Sequence, residues 1–143
     1  MALIVKKFGG SSVATTEKIM NVAKRVLAEK KPGDQIVMVV SAMGDTTDDL
    51  IKLAHGINKD PYQYTREMDM LLTTGEQVSI ALLAMAFKTL GAKAISLTGP
   101  MAGMQTNSVH TKGRIVDIEP ERVKEELDKG NIVVVAGFQG ADE

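Results

Sequence analysis

The sequence predicts an α/β fold, a mostly parallel sheet sandwiched by helices, on three observations. Short β-branched apolar runs alternate along the chain with longer segments of helical period. Most of these runs are apolar at nearly every position, as in a parallel strand covered on both faces. Each run is followed by a loop rich in Gly, Ser or Thr. The length of 143 residues, with 44% hydrophobic and 24% charged, fits one domain with its own core.

The elements follow in order. Residues 2–8 form the first strand, ended by Gly9-Gly10-Ser11-Ser12. From Thr15, Ile19, Val22, Ala23, Val26 and Leu27 recur at intervals of three and four, so a helix is expected with Thr15 as cap, Glu17 in its first turn and Pro32-Gly33 as stop. Residues 35–41 are the second strand, completing a βαβ unit that should be right-handed. In residues 46–58, Leu50, Ile51, Leu53 and Ala54 supply the apolar face of a helix, and Lys59-Asp60-Pro61 breaks it. Residues 66–90 read as helix, interrupted or kinked around Thr73-Thr74-Gly75, with its second half apolar nearly all round and therefore buried. Residues 93–98 are the third strand, ended by Gly99-Pro100. Residues 103–117 are ambiguous, with 114–118 the best candidate for an extended piece. Residues 120–129 read as a short helix with Pro in its first turn, 131–136 as a fourth buried strand, and 138–143 trail away. The nine Met residues are expected mostly to fill the core.

Composition excludes several functions. Without Cys there are no disulfides, zinc thiolates or thiol nucleophiles, and the two His, His55 and His110, lack metal-ligand spacing, so no metal residue is assigned. A net charge of −1 with few aromatics offers no platform for nucleic acid. The longest apolar runs, 80–87 and 132–138, fall short of the roughly 20 residues of a membrane span. The first five residues precede Lys6 and Lys7, the reverse of a signal peptide's charge order, so a cytoplasmic location without membrane contact is expected.

Chemistry is expected in the loops at the carboxyl ends of the strands, where open parallel sheets bind ligands. These loops are Gly9-Gly10-Ser11-Ser12, Ser41-Ala42-Met43-Gly44-Asp45-Thr46-Thr47, Thr98-Gly99-Pro100 and Gly137-Phe138-Gln139-Gly140. Small and hydroxylic residues let backbone N–H groups approach an anion, although in any single loop they also serve as plain turn formers. No P-loop, G-x-G-x-x-G or protein-kinase motif is present. Lys7 ends the first strand directly before Phe8-Gly9-Gly10, so its ammonium could reach over the loop or simply be solvated. Lys6 and Lys7 cannot both point there.

Lys7-Phe8-Gly9-Gly10-Ser11-Ser12, the 41–47 loop, Arg66-Glu67-Met68-Asp69 with Thr74-Gly75-Glu76, and residues 135–140 together closely resemble the aspartokinases of the amino acid kinase family. The motifs keep the family's order from one end of the chain to the other. The resemblance implies an amino acid kinase-like fold and transfer of the ATP γ-phosphate to the side-chain carboxylate of L-aspartate. The product, 4-phospho-L-aspartate, begins the route to lysine, threonine and methionine. Mg²⁺ would be carried mainly by ATP. By the same resemblance Lys7 stabilises the transferring phosphoryl group, with Phe8, Gly9, Gly10 and Ser11 lining its path. Ser41, Asp45, Thr46, Thr47 and Glu76 hold the aspartate, Glu76 facing its ammonium. Arg66 is the alternative partner for Glu76, which would make that pair structural, and His110 is expected to be exposed.

The resemblance also implies that residues 1–143 are the N-terminal part of the catalytic domain. The family's Gly-Arg-Gly-Gly-Ser-Asp segment, its nucleotide-binding half and its ACT regulatory domains do not occur in this sequence. A homo-oligomer is expected. Another amino acid kinase, for N-acetylglutamate or glutamate, and a non-catalytic binding module are the alternatives. The first of these should not carry Ser-Ala-Met-Gly-Asp-Thr-Thr at positions 41–47.

Overall fold

A computed structural model describes residues 2–106, 115–118 and 120–137. Its strands are β1 (Leu3–Phe8), β2 (Gln35–Val40), β3 (Ala94–Leu97), β4 (Met104–Thr106), β5 (Ile115–Ile118) and β6 (Ile132–Ala136). Its helices are α1 (Thr16–Glu29), α2 (Thr46–Ile57), α3 (Thr65–Thr89) and α4 (Glu121–Asp128), with 3₁₀ turns at Gly10–Val13 and Pro61–Gln63. β1, β2, β6 and β3 form one sheet in that order, every pair parallel. The four expected strands are therefore all present, each within a residue of its sequence boundary. β4 and β5 pair antiparallel as a separate ribbon, which accounts for the described ends of the ambiguous stretch. Residues 107–114, with His110 and Arg114, lie outside the described residues, as do Phe138, Gln139 and Gly140.

Register divides the sheet into two faces. Leu3, Val5 and Lys7 lie level with Gln35, Val37 and Val39, and Val37 and Val39 lie level with Val133 and Val135. The opposite face carries Ile36, Met38, Val40, Val134 and Ala136, and packs against α1 through Ile19, Ala23 and Val26 and against α3 through Ile80, Leu83 and Phe87. The first face holds a smaller core in which Leu127 of α4 and Ala102 meet Leu97, Val133 and Val135. β1 to β2 and β2 to β3 advance across the sheet in one direction and β3 to β6 steps back. A crossover of constant hand must then place its helix on the other face. That accounts for α4 standing opposite α1 and α3.

Local chemistry sets the boundaries. Thr15 caps α1 by accepting from the Lys18 N–H at 3.1 Å, as its sequence predicts. Glu126, 5% exposed on α4, takes Arg122 at 3.2 Å, Lys129 at 3.3 Å and the Asn131 amide at 2.8 Å, tying the helix to the start of β6. Burial pushes its carboxyl up, but the Lys129 and Asn131 bonds and the nearby Lys129 and Arg122 charges outweigh this and hold it below the ordinary glutamate value.

Three expectations are corrected. α3 runs unbroken for 25 residues through Thr73-Thr74-Gly75. A helical glycine costs about 1 kcal/mol, whereas burying Ile80, Leu83 and Phe87 returns about 1.5–3 kcal/mol each, so packing wins. Its second half is not buried all round, since Val78 and Met85 are more than half exposed and Leu90 is also exposed. The apolar face read for α2 is shallow: none of its residues is buried and Leu53 lies largely in solvent. Among the described Met side chains, Met38 and Met68 are in the core and Met20 and Met43 pack against it, as expected, while Met70, Met85 and Met101 are exposed.

Candidate active site

The carboxyl ends of β1, β2 and β6 meet in one polar cluster. Leaving β1, the chain passes through Gly9 in extended conformation and turns at once into the 3₁₀ segment Gly10–Val13. The Gly44 N–H donates to the Gly10 carbonyl at 2.9 Å, locking the loop after β1 to the loop after β2. A Cβ on Gly10 would lie 2.8 Å from the Ala42 carbonyl oxygen, a distance Cβ atoms do not adopt, so only glycine allows these loops to touch. A Cβ on Gly9 would meet nothing within 4 Å, so its outer side is open.

β2 ends at Ser41, whose N–H donates to Phe8 and whose carbonyl accepts the Ser79 hydroxyl of α3 at 2.8 Å. The Ser41 Oγ lies 3.7 Å from where a Gly137 Cβ would stand. The Gly137 N–H itself donates to the Val40 carbonyl at 2.8 Å and to Glu76 Oε2 at 3.1 Å. Glu76 is 7% exposed and so reaches from α3 around the strand ends into the junction of β2 and β6. Ser41, Glu76 and Gly137 are thus brought together by three elements far apart in sequence.

The other expected residues take distinct places. Lys7 is exposed on the sheet face away from α1 and α3, while Lys6, on the opposite face, bonds to Glu29 of α1. That bond holds the Glu29 carboxyl below its ordinary range. Phe8 lies beneath the Arg25 guanidinium, 5.4 Å from its ring centre, and Ser11 is exposed with its carbonyl accepting from Lys18. Asp45 occupies the N-terminal cap position of α2 without a side-chain capping bond. Thr46 turns its methyl toward Gly75, 3.2 Å from a Cβ there, and Thr47 is exposed in the first helical turn. Asp48 and Asp49 follow in that turn, which offsets the positive end of the helix dipole. The charges come from different elements: Lys7 from β1 and Lys18 from α1, Asp45, Asp48 and Asp49 from the start of α2, and Glu76 from α3.

The Arg66–Glu76 pair does not form. Ten residues along one helix separate the two by about 15 Å of rise, and Arg66 bonds Glu67 at 2.7 Å. Sequence reading missed Ser79, whose hydroxyl bridges Ser41 O and Gly75 O. Its signal was available, because a lone hydroxyl on an otherwise apolar buried helix face must find an acceptor. Among the described residues no three carboxylate or imidazole groups converge as a metal site.

Comparison with known proteins places this geometry. The model of the amino acid kinase family matches residues 2–143. Aspartokinases from Bacillus sp. (strain MGA3) and Corynebacterium glutamicum are 58% and 55% identical over all 143 residues, which correspond to 34% of each relative. This chain therefore spans about a third of the length of the curated relatives it matches. Aspartate kinase from Synechocystis superposes with a TM-score of 0.80 at 48% identity, over 96% of this chain and 22% of that one. The E. coli aspartokinase III complex with aspartate and ADP shares the fold at a TM-score of 0.79 and 19% identity, over all of this chain and 42% of that one. With the family model covering all but the first residue, and a fold that superposes on solved relatives, the chain belongs to the amino acid kinase family.

Proposed function

We propose that this chain is the acceptor-binding part of an aspartate kinase catalytic domain. The observation that carries the proposal is the junction at the strand ends, where the glycine loop that follows Lys7 is bonded to the loop after β2 and the buried Glu76 carboxylate accepts from the Gly137 N–H beside Ser41. L-Aspartate carries one ammonium and two carboxylates, and such a junction sorts them. Glu76 takes the ammonium; a carboxylate accepts several donors at once, so its bond to the Gly137 N–H is compatible with this. The Ser41 and Thr47 hydroxyls contact the acceptor, with Asp45 and Thr46 beside them.

The side-chain carboxylate then points toward the Gly9-Gly10 loop, where the ATP γ-phosphate is to be received. A carboxylate oxygen attacks γ-phosphorus, the bond to the β,γ-bridging oxygen breaks, and ADP leaves with the electron pair. Phosphoryl transfer needs positioning and charge stabilisation rather than covalent help from the protein. Lys7 and the backbone donors of Gly9, Gly10 and Ser11 supply these, with Phe8 anchoring the strand end. Mg²⁺ arrives with ATP as part of the substrate. A cytoplasmic setting, and a place at the start of lysine, threonine and methionine synthesis, belong to the same reading. The nucleotide-binding half and the Gly-Arg-Gly-Gly-Ser-Asp segment are to come from polypeptide outside these 143 residues, so this chain by itself is expected to release no ADP.

The test is a chimera in which residues 1–143 replace the matching third of the Bacillus sp. (strain MGA3) aspartokinase. ADP release should depend on L-aspartate and be absent with glutamate or N-acetylglutamate. A folded chimera, shown by a cooperative melt, that prefers either of those acceptors or turns over none overturns the reading.

A further inference from the structure

α3 carries two buried polar side chains one turn apart. Glu76 and Ser79 are 7% and 1% exposed, and a spacing of three residues puts them on one face of the helix. Glu76 accepts from the Gly137 N–H after β6, and Ser79 donates to the Ser41 carbonyl after β2 at 2.8 Å. Gly75 lets the 41–47 loop come close to the same helix, since a Cβ there would stand 3.1 Å from Ala42 Cβ and 3.2 Å from the Thr46 methyl. One turn of α3 therefore seats the loops that follow both inner strands of the sheet. A serine within a helix ordinarily returns its hydroxyl to the carbonyl four residues back. Ser79 does reach the Gly75 carbonyl at 3.1 Å, but that oxygen also serves the helix ladder, and the shorter bond leaves the helix for Ser41.

Ser41 is held on both sides of its backbone. Its N–H donates to the Phe8 carbonyl of β1 at 3.2 Å, and its carbonyl accepts from Ser79. With the backbone so fixed, the side chain keeps only its staggered χ1 choices, and its Oγ lies 3.7 Å from where a Gly137 Cβ would stand, beside the residue whose N–H bonds Glu76. We propose that Ser79 is a positioning residue for the acceptor amino acid: through the Ser41 carbonyl it sets the spacing between the Ser41 hydroxyl and the Glu76 carboxylate. The proposal rests on the aspartate kinase reading, in which those two groups bind L-aspartate. Because Glu76 and Ser79 share one helical turn, the two acceptor contacts are tied to a single rigid element instead of to separate loops. Without the Ser79 hydroxyl the Ser41 carbonyl loses its tie to α3, the loop rests on the contacts of Ala42 and Thr46 with Gly75, and the Ser41 Oγ is no longer set against Glu76. Ser79 thus acts entirely through Ser41.

The test uses the chimera that carries residues 1–143, with steady-state ADP release as its readout. Ser79→Ala should raise the aspartate KM about five- to tenfold, the weight of one hydrogen bond, and leave the ATP KM within about twofold. Ser41→Ala should raise the aspartate KM by a similar factor. Adding Ser79→Ala to Ser41→Ala should then raise it by less than about a further twofold, because the hydroxyl that Ser79 positions is already gone. A serine that only packs the core would give effects that multiply. Should the alanine variant show no cooperative melt, Ser79→Cys, close in volume and a weaker donor, decides the matter. An aspartate KM raised at least about twofold in that variant with the ATP KM unmoved supports the proposal, and an unmoved pair overturns it. A folded chimera with Ser79 in place that releases no ADP with aspartate defeats the aspartate kinase reading and this proposal with it. If that chimera is active and folded Ser79→Ala leaves the aspartate KM within about twofold, raises both Michaelis constants together or multiplies with Ser41→Ala, the positioning role alone is overturned.

Discussion

Lys6 and Lys7 are chemically the same and one position apart, and the pleat gives them opposite fates. Lys6 is bound to Glu29 on the helix-covered face, and Lys7 stands exposed beside the open side of Gly9. In the chimera, Lys7→Ala should lower kcat by about 10²–10³-fold, the usual loss of one preorganised charge-stabilising group, with the aspartate KM nearly unmoved. Lys6→Ala should leave kcat within a few-fold, so steady-state ADP release for the two variants separates phosphoryl stabilisation from strand-end packing. Glu76 has two candidate duties, holding the Gly137 N–H and facing the acceptor ammonium. If the second operates, Glu76→Ala raises the aspartate KM by at least about tenfold and moves the ATP KM little. If Gly137 alone matters, kcat falls and the two Michaelis constants change together. Neither partner of Glu76 was legible in the sequence, because residues 76 and 137 meet only once α3 has crossed the sheet. Lys7 was legible, since strand alternation and the adjacent glycines are local.

The same division holds for elements. All four sheet strands, the Thr15 cap and the α4 segment follow from local period and capping, and the structure places them within a residue or two. What sequence could not show is which side of each helix is covered. Gly75 reads as a break because glycine disfavours helix, yet a Cβ there would lie 3.1 Å from Ala42 Cβ, so the glycine marks a close approach instead. The strand order, with β6 between β2 and β3, likewise rests on long-range pairing. α4 carries its own prediction. The carboxyl of Glu126 is held below the ordinary value of 4.5, so the folded state gains stability from it above that value and loses it as pH falls through the lowered one. Glu126→Gln should therefore lower Tm at neutral pH, and its deficit against wild type should close as the pH is taken from 7 toward 3. Thermal melts across that range check this; a constant deficit would mean that shape rather than charge holds α4 to β6.

At the scale of the molecule, one sheet face is fully roofed and the other half roofed. α1 and α3 cover the first, whereas α4 covers only the β6 and β3 side of the second. Leu3 and Val5 of β1 are left 63% and 64% exposed, so this strand is covered on one face only. Among the described residues β1 and β3 are also edge strands, each with one neighbour. Covering two such side chains would return about 1–2 kcal/mol each, a gain open to any chain that lies across them, and an exposed parallel edge adds unpaired backbone donors and acceptors. The 143-residue chain should therefore self-associate and bind an apolar dye. Replacing both residues by Thr keeps β-branched strand formers at exposed positions, so Tm should change by no more than the few degrees that about 1 kcal/mol produces in a domain of this size. Dye fluorescence and the associated species in sedimentation should fall together. Dye binding and association that persist in the double Thr variant would place the sticky surface elsewhere.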